Sequence, residues 1–106
     1  MPYKFQSRAT GDVLMMQPVG DQLLRALGRE PAARGIFEVA HMPGLMDLLE
    51  QAIALEERTL AEAQAQAEAE GKTIKRPEVL LRQRFWPMRE MMRRSLAEDQ
   101  PIVWGV

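Results

Sequence analysis

Few residues in this chain belong to the types that do chemistry. His41 is the only histidine, and Ser7 and Ser95 are the only serines. Histidine is the usual acid or base near neutral pH, so a nucleophile–base pair would have to use it. Neither serine stands in a nucleophile-elbow context. A zinc site would need three carboxylates around His41, and no His-x-x-x-Glu spacing begins one on a helix. His41, just before a helix, therefore reads as a structural or surface residue. The adjacent acids Glu56-Glu57 and Glu98-Asp99 point about 100° apart on a helix, which is wrong for sharing a proton or a metal. The seven glycines are scattered, and no phosphate-cradling loop or dinucleotide fingerprint is present. Zero cysteines exclude disulfides, thiolate catalysis and Cys-based metal sites, and fit a reducing compartment. The reading is of a non-enzyme, with no catalytic residue, no cofactor and no metal.

One constellation could bind. Arg82, Trp86, Arg89 and Arg93 share a side of a helix, roughly a right angle from its apolar stripe. Arginines interleaved with an aromatic can hold phosphates and stack a base. The competing reading follows from charge. Residues 43–70 carry seven acids against Arg58, whereas residues 72–94 carry eight bases against Glu78 and Glu90. The two blocks net six charges each, of opposite sign. Two such helical stretches, joined by a Gly-containing link, should fold back as an antiparallel pair. The guanidinium groups would then meet Glu56, Glu57 or Glu62, with the tryptophan half-buried between them. A nucleic-acid face normally leaves its bases uncompensated, so the paired reading is preferred.

The elements that position these residues are legible from periodicity. Residues 3–8 alternate, with Tyr3, Phe5 and Ser7 on one face, and Val13 to Met16 is a short apolar run; a turn at 9–12 joins them into a hairpin. Pro18 should close the second strand. Asp21 should cap a short helix whose inner face is Leu23, Leu24 and Leu27, ended by Gly28 and Pro31. Residues 35–40 read as a third strand.

A long helix follows from Pro43, with Leu45, Met46, Leu49, Ile53 and Leu60 facing inward. Beyond Leu60 only alanines are apolar. A helix over 43–70 would run ~42 Å, against a radius of gyration near ~13 Å for a domain this size, so its second half should project. Pro77 should begin the last helix, with Leu81, Phe85, Met88, Met92 and Leu96 as its buried stripe. Pro87 inside that stripe predicts a kink or two abutting helices. A pocket beneath the kink, lined by Trp86, Trp104 and Tyr3, is a further expectation. The numerous methionines read as core filling. Residues 101–106 read as a terminal strand.

The order β-β-α-β-α-α-β defines an α+β fold: about four strands in an antiparallel or mixed sheet, helices packed on one face. We expect a single domain over 1–106, with a helical hairpin over 43–97 and a charged low-complexity tip at about 61–76. Hydrophobic content of 46% and charged content of 27% are ordinary for a soluble protein. A net charge of −1 gives no global pull toward polyanions or membranes. No apolar leader or span of ~18 residues occurs, so a cytoplasmic location is expected.

Tyr3-Lys4-Phe5, Gly20 to Arg25 with Gly28, Arg82-Gln83-Arg84-Phe85-Trp86-Pro87 and the ending Val103-Trp104-Gly105-Val106 together resemble a small bacterial family catalogued as domain of unknown function eighteen-forty. The resemblance covers essentially the full length, although the stretch from about Ala61 to Lys72 adds nothing to it. It implies a stand-alone bacterial domain and brings no activity, cofactor, partner or catalytic residue.

The functional expectation is a small domain acting through protein–protein contacts, with an unknown partner or a second copy of itself. Its motivation is a terminal edge strand and a projecting charged helix. The alternative is nucleic-acid binding through Arg82, Trp86, Arg89 and Arg93.

Overall fold

A computed structural model describes residues 2–106. Four strands, β1 (Tyr3–Gln6), β2 (Val13–Met15), β3 (Gly35–Phe37) and β4 (Ile102–Trp104), form one antiparallel sheet ordered β2-β1-β4-β3. Helices α1 (Gln17–Ala26), α2 (Met42–Ala69) and α3 (Leu81–Ala97) pack on it, with a single 3₁₀ turn at Val39–His41 before α2. This is the α+β architecture and element order that the periodicity predicts.

Alternation decides which sheet face is covered. Tyr3, Phe5, Met15, Phe37, Ile102 and Trp104 are buried beneath the helices. Lys4, Leu14 and Ile36 are exposed on the opposite face, with Val103 half-buried beside them. The expectation of a terminal edge strand is corrected: β4 is internal to the sheet. It lies between β1 and β3, because Ile102 and Trp104 each bury a large side chain there and β4 gains hydrogen bonds on both sides. The edges are β2 and β3, three residues each.

Several boundaries differ from the sequence expectation for local reasons. Pro18 lies in the first turn of α1 and does not close β2, since a missing N–H costs nothing there. Asp21 is consequently inside α1 and does not cap it. The third strand stops at Phe37, and β1 stops at Gln6. Helix α3 begins at Leu81, four residues past Pro77, because its cap forms there: the Gln83 side chain accepts from the Leu80 N–H at 3.0 Å, and the Glu56 carboxylate of α2 accepts from the Leu81 N–H at 2.8 Å. A carboxylate at a helix start meets both an orphan donor and the positive end of the dipole. Helix α3 is one unbroken element through Pro87, whose exposed position puts the lost backbone bond, to the Gln83 carbonyl, on the wet side.

All three helices end with one residue in the left-handed region, Gly28, Gly71 and Asp99, followed by a backbone bond from the next N–H back to Leu24, Ala67 and Ser95 respectively. The helical pair packs as predicted, with Phe85, Met88, Met91 and Met92 of α3 and Leu45, Leu49 and Ile53 of α2 in one core with the sheet's inner face. Five methionines are buried there, whereas Met16 is exposed. The second half of α2 projects: the molecule extends 51 Å along its long axis against 28 and 22 Å across, and past Leu60 only Ala67 is buried.

Candidate functional site

The residues singled out for binding come together on α3. Arg82 grips Glu57 of α2 with two hydrogen bonds, Nε to Oε2 and Nη2 to Oε1, both 2.9 Å. One turn pair further on, the Arg89 Nε pairs with Glu50 of α2. Moving seven residues forward on α3 moves the partner seven residues back on α2, so the pair runs antiparallel in fixed register. Arg93 turns to Glu90 on its own helix, with bonds of 3.2 and 3.0 Å. The Arg89 guanidinium also lies 5.1 Å from the centre of the Trp86 ring, within cation–π range. Trp86 remains 48% exposed.

Electrostatics follow from these contacts. The Arg82 hydrogen bonds hold the Glu57 carboxyl below its usual range, and those of Arg93 do the same for Glu90. Both guanidinium groups are pushed up in return. The surface is therefore a half-exposed tryptophan ring with the Arg89 guanidinium against it, on a helix side where Arg82, Arg89 and Arg93 each have a carboxylate partner. The sequence reading named Glu57 correctly. It missed Glu50 as the partner of Arg89, and Glu56 serves a backbone cap. Glu62 makes no ion pair among the described residues, because it lies beyond the start of α3 in the projecting arm.

The other candidates are placed apart from this surface. His41 is exposed at the end of the 3₁₀ turn, with Nδ1 3.7 Å from Glu38. Ser7 and Ser95 hydrogen bond each other at 2.8 Å, which satisfies the fully buried Ser95 hydroxyl. Among the described residues, no three His, Cys, Asp or Glu side chains are grouped to hold a metal ion.

Tyr3 and Trp104 do line a hollow, but Trp86 is not part of it. The expected pocket beneath Pro87 is corrected to a cleft of about 500 Å³ among the start of β1, the first turns of α1, residues 31–33 and the end of β4. Trp86 cannot join, since it points outward from α3. Two glycines shape this cleft. The Tyr3 ring lies where a Cβ on Gly20 would be, 2.1 Å away, and the Trp104 ring lies 2.4 Å from a Cβ built on Gly35. The Tyr3 hydroxyl consequently reaches one residue along α1 and donates to Asp21 Oδ1. Burial, followed by that bond and the Asp21 charge, pushes the Tyr3 phenol up to about 12. Trp104 Nε1 donates to the Ala32 carbonyl at 3.0 Å.

The chain is a small α+β domain with a four-stranded antiparallel sheet and a long helical pair. It matches the family described as domain of unknown function (DUF1840) over residues 1–104, and it belongs to that family. No curated protein and no solved structure matches it.

Proposed function

We propose that this chain is a non-enzymatic cytoplasmic domain that works through protein–protein contacts, with the Arg82, Trp86, Arg89 and Arg93 surface as the contact. The observation that carries the reading is the half-exposed Trp86 ring with the Arg89 guanidinium against it, on a helix side whose arginines 82, 89 and 93 already have carboxylate partners. Tryptophan and arginine dominate the energetic centres of protein interfaces, where a rigid aromatic buries large area at small entropic cost. Compensated arginines favour a protein over a polyanion, because phosphate binding draws its affinity from cations free to release counterions. Zero cysteines fit the reducing cytoplasm, and among the described residues no helix is long and apolar enough to cross a membrane.

Two measurements separate this from nucleic-acid binding. Sedimentation velocity over a wide concentration range should show association that weakens in Trp86→Ala if the partner is a second copy. Retention on heparin or DNA at low salt should be slight. Strong retention with a steep salt dependence, abolished by Arg89→Glu, would favour the polyanion instead.

A further inference from the structure

The cleft at Tyr3 and Asp21 is separate from the Trp86 surface, which contributes nothing to its lining. Its volume of about 500 Å³ is within the span of ~300–1,000 Å³ common to small-molecule sites. Its walls are mostly apolar: Pro2, Pro31, Ala32 and the edge of Trp104 surround it. The walls are also held in place. Trp104 is 3% exposed, seated over Gly35 and tied to the Ala32 carbonyl, so its ring cannot swing into the opening. Tyr3 is pinned between Gly20 and Asp21.

One acidic side chain, Asp21, is part of this lining and is only half-buried. The hydroxyl of Tyr3 occupies one of its acceptor positions, and a carboxylate has about four. The other charged residue of the lining, Lys4, sends its ammonium group to Asp12, 3.6 Å away at the β1–β2 turn. Arg25 acts on the Tyr3 phenol from outside the lining, and its effect is smaller than that of Asp21. Asp21 is therefore the one carboxylate that the lining offers to a ligand. A phenol that stays protonated well past neutral pH also keeps donating to Asp21, which fixes the carboxylate in one orientation.

We propose that this cleft binds a small organic amine, its ammonium group on the Asp21 carboxylate and its apolar body against Pro31, Ala32 and Trp104. A fixed carboxylate beside an aromatic edge recognises an ammonium group by ion pair and hydrogen bond, and it repels the carboxylic acid of the same shape.

The test uses the full chain labelled with nitrogen-15, in which the indole N–H groups of Trp86 and Trp104 give separate signals. Titration with 2-phenylethylamine should move the Trp104 signal saturably and leave Trp86 in place. Matched 3-phenylpropionate should leave both unmoved. Asp21→Asn should weaken the amine at least tenfold while the Trp104 signal keeps its starting position. Equal response to amine and acid, a shift at Trp86 alone, or no saturable shift up to the solubility limit of the amine would overturn the assignment. The comparison of amine with acid needs only the natural chain, so it decides the matter even where Asp21→Asn fails to fold.

Discussion

Arg82 and Glu57 face each other across the helical pair with both nitrogens of one side and both oxygens of the other engaged at 2.9 Å. This geometry marks the register of α2 on α3, and Arg89, the cation against Trp86, is answered by Glu50 in the same register. The pair is exposed, however, so its strength is eroded by water and salt. Arg82→Ala is predicted to lower the melting temperature far less than Met88→Ala. Lowering the pH should remove the contribution of Glu57: its folded carboxyl is held down, so the stabilisation is present above the ordinary carboxylate range and fades as pH falls through the depressed value. Thermal melts from pH 3 to 7, for the natural chain and Glu57→Gln, check the sign.

The core carries the larger weight. Met88 is fully buried between the helices and the sheet. Truncation to alanine deletes its contacts and leaves a cavity, so Met88→Ala should cost about 2–5 kcal/mol in denaturant unfolding. A cost below ~1 kcal/mol would mean that this region is loosely packed.

Tyr3 is the only tyrosine, so its titration can be read without interference from another phenol. The folded phenol is raised to about 12 from the ordinary 10.0. Its contribution to stability is complete below about pH 10 and is lost as pH climbs through the folded value. Tyrosinate absorbance should rise near pH 12 in the folded protein, and Tyr3→Phe should flatten the alkaline loss of stability. A midpoint near 10 with the fold intact would contradict the burial of Tyr3 together with its contact to Asp21.

Two helix positions are occupied against local preference, and each makes a prediction. Pro87 is exposed inside α3, where ~3 kcal/mol of helix propensity is forfeited relative to alanine; allowing up to ~1 kcal/mol for the stiffer unfolded chain, Pro87→Ala should stabilise by roughly 2 kcal/mol. Asp99 adopts φ 57° at the end of α3, where the other helices place glycine. Asp99→Gly should add about 1 kcal/mol. Chemical denaturation measures both.

Much of this molecule was legible because its signals are periodic. Phe5 and Tyr3 announce a half-buried strand, the Phe85–Met88–Met92 stripe announces α3, and the two charge blocks announce the helical pair. What escaped depends on distant partners. Nothing in the vicinity of Leu81 says that Glu56, a helix away, will accept its N–H and let α3 start there and not at Pro77. Trp104 looks like part of a loose terminal strand until Gly35 and Ala32 are seen to seat its ring, which makes β4 an inner strand. The Trp86 surface was visible from spacing alone, but its pairing was only half visible: Arg82 found a predicted partner, Arg89 found Glu50, and Arg93 found Glu90. The cleft was half visible: Tyr3 and Trp104 were expected to line a pocket, but Asp21 reads locally as a helix cap and Trp86 faces elsewhere.

The most direct test is photo-cross-linking in the host cell, from a benzoylphenylalanine placed at position 93, about two turns along the same side of α3 from Trp86, with position 72 past the end of α2 as control. The account predicts a discrete adduct from 93, either twice the chain's mass or joined to one other protein, that disappears when Trp86→Ala is added. Adducts that persist unchanged without the tryptophan, or no adduct above the position 72 background, would contradict a protein contact at this surface.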